Sequence, residues 1–294
     1  MKNTIFKGSA TALVTPINET GVDFDALKSL VEFQIENGTD ALVICGTTGE
    51  APTLEDGEHL DAIECAVSCT KGRIPIIAGT GSNNTDHAIM MNKEAQKRGA
   101  DGLLWVTPYY NKTTQRGLIK HYEALASSTD LPAILYNVPS RTGVDIKPET
   151  VEALSKIPNI VAIKEATGDV ARACDIISRC GDNIDVYSGN DDIIVPLMSI
   201  GASGVISVLS NIAPKETHDM CALCLEGDFK KAGDMQIKYF NLVKALFCEV
   251  NPIPVKTALN LMGKNAGKLR LPLYEMEEKN LEFLKSEMKA LNLI

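Results

Sequence analysis

Short blocks of consecutive apolar residues alternate along the chain with longer stretches whose apolar positions recur three and four apart. Eight such blocks stand out: Ala10 to Val14, Ala41 to Ile44, Pro75 to Ala78, Gly102 to Val106, Ala133 to Tyr136, Val161 to Ile163, Asp185 to Tyr187 and Gly204 to Val208. Apolar residues on consecutive rather than alternate positions mark strands covered on both faces, the pattern of a parallel sheet. The stretches between them read as amphipathic helices. Phe24, Leu27, Leu30, Val31 and Ile35 share one helical face, and Leu60, Ile63, Ala66 and Val67 follow a helix-start signal at Thr53-Leu54-Glu55-Asp56.

Eight strand–helix units in roughly 225 residues match a closed α/β (β/α)8 barrel of the TIM type, whereas open doubly wound sheets more often stop at five to seven strands. After Val208 the strand pattern ends, and three helical patterns follow: Met235, Tyr239, Leu242 and Leu246, then Ile253 to Met262, then Met276 to Leu291. The expectation is a catalytic barrel over residues 1–224, with a C-terminal three-helix region over 225–294 packed on it.

Charge and composition narrow the partners. With 29 Lys and Arg against 38 Asp and Glu the net charge is −9, and no basic run offers phosphates a surface, which argues against nucleic acid. Ile193 to Pro214 is uncharged over about the ~20 residues a spanning helix needs. Pro196, Gly201, Gly204 and Asn211 interrupt it, so no membrane segment is expected. The N-terminus shows no apolar run before a small-residue cleavage site, which points to a cytoplasmic protein. Eight Cys scattered through apolar surroundings read as buried free thiols. Cys221 and Cys224 form a lone CxxC, and neither a second pair nor a nearby His completes a zinc set. The four His, at 59, 87, 121 and 218, lack metal-ligand spacing and are expected on helix surfaces or at packed interfaces. Gly79-Thr80-Gly81 lacks the later glycine and lysine of a phosphate loop. Neither a metal nor a cofactor is expected.

In such a barrel the reactive groups project from the C-terminal strand ends. Lys164 directly follows Val161-Ala162-Ile163, so a buried strand delivers it to the mouth. An ordinary lysine, with a pKa of ~10.4, is about one part in 2,500 neutral at pH 7, and desolvation favours the nucleophilic amine. A buried ion pair with Glu165 or Asp191 is the alternative. Tyr136 ends the neighbouring strand, where a phenol can relay protons or merely fill the core. Gly46-Thr47-Thr48-Gly49 offers two hydroxyls and glycine-exposed amides to a small carboxylate, although a plain turn fits equally. Arg141 carries a planar fork suited to a carboxylate, or lies solvated in its loop.

The segments GTTGE at 46–50, TPYYN at 107–111, YNVPSRTG at 136–143, KEATGD at 164–169, SGND at 188–191, GVISV at 204–208 and NPIPVK at 251–256, in this order, resemble the dihydrodipicolinate synthase family of pyruvate aldolases. That resemblance implies condensation of pyruvate with L-aspartate 4-semialdehyde in lysine and diaminopimelate biosynthesis. It implies that Lys164 forms the Schiff base, that Tyr136, Thr48 and Tyr110 relay protons, and that Tyr110 reaches a neighbouring subunit's site. Thr47 and Thr48 would hold the pyruvate carboxylate, Arg141 would receive the semialdehyde's carboxylate, and Gly189 and Ile206 would contribute backbone contacts. At least a dimer, and by resemblance a homotetramer, is implied. An N-acetylneuraminate lyase would share the lysine and tyrosine, but its polyhydroxy substrate calls for neutral groups where Arg141 stands. A non-catalytic ligand-sensing barrel would lack the lysine or a relay hydroxyl. Many family members also bind lysine at a subunit interface, through positions matching Ala51, Pro52, Asp56, His59, Asn83, His87 and Tyr109, and in lysine-sensitive members the position of Asp56 is commonly a histidine. The position of His87 is then a glutamate, whose charge a mostly neutral imidazole does not replace, so lysine insensitivity is expected.

Overall fold

The apolar blocks pair edge to edge until no sheet edge is left. In the computed structural model, which describes residues 4–294, β1 (Gly8–Ala12) precedes a short hairpin of β2 (Ile17–Asn18) and β3 (Gly21–Val22), and then α1 (Phe24–Glu36). β4 (Ala41–Ile44) leads to α2 (Asp56–Thr70), β5 (Ile76–Gly79) to α3 (Thr85–Lys97), and β6 (Gly102–Val106) to α4 (Gln115–Ala126). β7 (Ala133–Asn137) is followed by α5 (Pro139–Thr142) and α6 (Pro148–Leu154), and β8 (Ile160–Glu165) by α7 (Val170–Cys180). β9 (Asp185–Ser188) leads to α8 (Ile194–Ser199) and β10 (Gly204–Ser207) to α9 (Pro214–Leu225). The closed ring runs β1, β4 through β10 in order, and back to β1. Its ladders are parallel, with Tyr136 opposite Lys164 between β7 and β8.

Alternation along each strand divides the core in two. Ala41 and Val43 face the barrel interior with Leu104, Ile134 and Ile206, while Leu42, Ile44, Leu103 and Trp105 face the helices. Phe6 stacks on Tyr187 at 4.2 Å between ring centroids and fills the interior below the mouth. Three helices follow the barrel: α10 (Phe229–Leu246), α11 (Ile253–Leu261) and α12 (Glu278–Ala290). α10 packs on α8 and α9, α12 packs on α10 and α11, and the Lys268 N–H donates to the Ile17 carbonyl at 2.8 Å, tying the C-terminal region to the β2–β3 hairpin.

Several elements differ in detail from the pattern-based expectation. β1 runs from Gly8 to Ala12 rather than from Ala10 to Val14, because Ser9 is a buried polar residue that a hydrophobicity pattern passes over. Thr11 Oγ1 donates to Gln34 Oε1 at 2.7 Å, which satisfies it inside the core. Helix α2 starts at Asp56, later than the Thr53 signal; its N-cap is Glu55, whose N–H donates to the Glu58 carboxylate at 3.3 Å. His59 and His121 are buried rather than surface-placed. All eight Cys are free, and burial raises the Cys224 thiol to about 11 and pushes Cys221 up as well, so neither offers a thiolate at neutral pH. Among the described residues no helix is long and apolar enough to cross a membrane, and no cluster of three or more His, Cys, Asp or Glu could hold a metal ion.

Candidate active site

Lys164 is the penultimate residue of β8, flanked in register by Tyr136 and Tyr187. It is 6% exposed, and its Nζ lies 4.4 Å from the Tyr136 ring centroid. Among the described residues it forms no ion pair or hydrogen bond. Both carboxylates that offered a structural explanation are engaged elsewhere. Glu165 points to the opposite face of the strand, where it accepts from Arg172 Nε at 3.0 Å and the Thr167 N–H at 2.9 Å. Asp191 Oδ2 accepts the N–H groups of Val208 and Leu209 at 3.0 and 2.9 Å. Burial raises the pKa of Asp191, against the pull of the Ser207 hydroxyl, those two amides and the charge of Lys164. The lysine is therefore close enough to feel Asp191 but is not locked to it.

The loop after β4 has the makings of an anion cradle. Its turn closes through Gly49 N–H to the Gly46 carbonyl and Glu50 N–H to the Thr47 carbonyl, both 3.1 Å. The N–H groups of Thr47 and Thr48 are left without a protein acceptor among the described residues. Two adjacent free amides with two hydroxyls form a concavity that suits a carboxylate. The backbone is strained here: Cys45 and Glu50 have φ of 55° and 56°, the left-handed region that costs a non-glycine residue about 1–2 kcal/mol. The C-terminal helices hold it in place. Lys256, on α11, donates its Nζ to Glu50 Oε1 at 2.7 Å and to the Thr15 carbonyl at 3.0 Å, and also bonds the Lys268 carbonyl. Both side chains of this pair are 1% exposed. Burial lowers the Lys256 pKa, and the Glu50 charge pulls it back.

A cavity of about 470 Å3 opens beside this loop, lined by Thr47, Tyr136 and Arg141, and extends between α2 and α3 to Asp56, His59 and His87. Thr48 is 3% exposed, and its Oγ1 accepts from Asn251 Nδ2 at 2.9 Å. Arg141, on α5, is exposed and donates one Nη2 bond to the Asn251 carbonyl at 3.1 Å, leaving the rest of the fork free. Gly189 follows β9 and spends its N–H on the Glu165 carbonyl at 2.7 Å, so its carbonyl is the group it can offer. A Cβ there would come within 2.5 Å of the Ala166 Cβ, which requires glycine. Ile206 lies on β10 opposite Ala10, inside the barrel. Tyr110 is the outlier: it is 90% exposed with φ of 69°, and it does not line its own subunit's cavity.

Asp56 and His87, the two departures from the lysine-binding pattern, meet each other, with His87 Nε2 bonded to Asp56 Oδ1 at 3.0 Å. The NPIPVK segment carried no assigned roles in the sequence, yet it supplies both Asn251 and Lys256. Its signal was position in the motif set rather than residue chemistry, since nothing in one sequence brings residues 251 and 256 to the barrel mouth.

Fold and site together describe a barrel suited to carbonyl chemistry on a lysine. The chain belongs to the dihydrodipicolinate synthetase family, whose model matches residues 5–291. It is 55% identical over 285 residues to the 4-hydroxy-tetrahydrodipicolinate synthase of Caldicellulosiruptor saccharolyticus, covering 97% of this chain and 96% of that one. Its fold is similar to the crystal structure of the chloride-inhibited dihydrodipicolinate synthase from Acinetobacter baumannii complexed with pyruvate, with 49% identity, a TM-score of 0.97, and coverage of 99% of this chain and 100% of that one. The enzyme from Cyanidioschyzon merolae with lysine bound is similar at 39% identity and a TM-score of 0.96, covering 99% of this chain and 100% of that one.

Proposed function

We propose that this chain is a cytoplasmic enzyme that condenses pyruvate with L-aspartate 4-semialdehyde to 4-hydroxy-tetrahydrodipicolinate, with Lys164 as the covalent catalyst. The observation that carries this reading is the uncommitted, buried Lys164 over the Tyr136 ring, beside a loop with two free amides. The pyruvate carboxylate sits on the amides and hydroxyls of Thr47 and Thr48, with the Gly189 carbonyl and the Ile206 backbone lining the far side. The Lys164 amine adds to the ketone and water leaves, giving the imine. Loss of a methyl proton yields the enamine, whose carbon attacks the semialdehyde's aldehyde carbon while Arg141 holds its carboxylate bidentately. The substrate's own amine then attacks the imine carbon, closes the ring and expels Lys164. Tyr136 and Thr48 shuttle the protons, and Tyr110 of the partner subunit completes the relay, which makes a dimer the least active unit and a homotetramer the expected assembly. The exposed phenol of Tyr110 supports that role, since no group of its own mouth uses it.

The test is a coupled assay with purified protein. Turnover is expected with pyruvate and aspartate semialdehyde together and not with pyruvate alone, and N-acetylneuraminate should not be cleaved. Cleavage of the sugar acid without condensation would overturn the substrate assignment.

A further inference from the structure

The strand ends that carry Tyr136 and Lys164 inward carry a second matched pair outward. Asn137 follows Tyr136 on β7, Glu165 follows Lys164 on β8, and the two stand opposite each other in register. Alternation puts them behind the sheet, away from the cavity, where they are 0% and 2% exposed. The Asn137 amide closes the segment that bears Arg141. Its Oδ1 accepts the Ile146 N–H at 3.0 Å, and its Nδ2 donates to Asp145 Oδ1 at 3.0 Å and to Glu165 Oε2 at 3.2 Å. Arg172, reaching back from α7, binds both carboxylates. Its Nε donates to Glu165 Oε2 at 3.0 Å, its Nη1 and Nη2 grip the two Asp145 oxygens at 3.2 and 3.0 Å, and Nη2 also bonds the Ile146 carbonyl. The segment 138–146 thus leaves the barrel and returns to it at one point, directly behind Tyr136 and Lys164. In between it has only the single turn of α5 and a stretch without regular structure from 144 onward.

We propose that Asp145 and Arg172 are positioning residues that set where Arg141 stands relative to the Lys164 imine, and so select an acceptor by the span from its aldehyde carbon to its carboxylate. They act through Arg141, on the reading of Arg141 as the seat of that carboxylate. The fork must meet the carboxylate while the aldehyde carbon sits at the enamine, and a misplacement of about 1 Å costs on the order of 100-fold. Arg141 is itself exposed and held by one bond, to the Asn251 carbonyl, so the backbone beneath it has to fix its place. From the other side Gln115 Nε2 donates to the Asp145 carbonyl at 2.7 Å, so loss of the Asp145 carboxylate loosens the segment without releasing it.

Asp145→Ala is the direct test, since this side chain is 41% exposed and its removal leaves Asn137, Glu165 and Arg172 bonded to one another. In steady-state assays kcat/KM for the semialdehyde should fall by about 10-fold, while kcat/KM for pyruvate stays within about twofold, because pyruvate reacts before the acceptor arrives. Borohydride should still trap pyruvate on Lys164. The double variant separates positioning from simple bracing: in an Arg141→Ala background Asp145→Ala should cost less than about twofold, since no guanidinium is left to misplace. A loss in that background as large as in the wild type, an equal fall with both substrates, or unchanged kinetics overturns the proposal and leaves the network a strut. If Asp145→Ala does not fold, Asp145→Asn, which keeps the shape but lacks the charge and one acceptor oxygen, carries the same test with the same expected pattern. Semialdehyde kinetics unchanged by Arg141→Ala alone would instead refute the reading of Arg141.

Discussion

Replacing Lys256 by methionine removes the cation from the buried pair that holds the GTTGE loop. The methionine fills most of the volume, so the dominant change is electrostatic. Glu50 is left 1% exposed with one amide bond, from the Arg270 N–H at 3.1 Å, and the Thr15 and Lys268 carbonyls lose their donor. Breaking one partner of a buried pair costs about 3–5 kcal/mol. At roughly 2 °C per kcal/mol for a chain of this size, Tm should fall by about 6–10 °C, measured at fixed protein concentration because subunit association also shifts it. The sign of the pH dependence follows. The variant leaves a buried charge without its counterion, and acid removes that charge, so the deficit relative to wild type should be largest at neutral pH and shrink toward acid. Glu50→Gln combined with Lys256→Met removes the stranded charge and should recover part of the loss. Pyruvate affinity should weaken in Lys256→Met, since the same loop is the proposed carboxylate cradle. A Tm loss below about 2 °C with no pH dependence would refute the claim that this pair holds the cradle's strained backbone.

Arg141→Ala should lower kcat/KM for the semialdehyde by about 10–100-fold, the worth of a charge-assisted pair, while pyruvate trapping on Lys164 persists; equal loss of trapping would reassign the residue. Burial lowers the pKa of His121 from 6.5 to about 4, so below pH 6.5 the unfolded chain takes up a proton that the folded chain refuses. Stability should therefore fall by about 2 kcal/mol between pH 7.5 and 5 in urea unfolding, and His121→Asn should lose that component of the slope. Because Asp56 already accepts from His87, submillimolar lysine should not inhibit, and His87→Glu should lower the half-inhibiting lysine concentration; strong inhibition of the wild-type enzyme would contradict this.

The barrel was legible because parallel strands write themselves as consecutive apolar residues, and β4 and β6 match their blocks end to end. Strand ends were less so. Ser9 and Thr11 are fully buried, and β8 runs through Lys164 to Glu165; Thr11 and Glu165 are tolerated there because Gln34 and Arg172 meet their bonds, while Lys164 ends its strand at the mouth. The two-residue strands of the β2–β3 hairpin are too short to carry a period. At the mouth, Lys164, Tyr136 and the GTTG loop were visible because strand order places them together. Asn251 and Lys256 act on that loop across about two hundred residues of sequence, through contacts that only the folded C-terminal region creates.

The central claim is that Lys164 becomes covalently attached to pyruvate. Incubation with pyruvate and borohydride, followed by peptide mass mapping, should place one reduced pyruvate per chain on Lys164, with loss of activity in step, and should give no adduct in Lys164→Ala. An adduct on another lysine, or full turnover in Lys164→Ala, would contradict the mechanism.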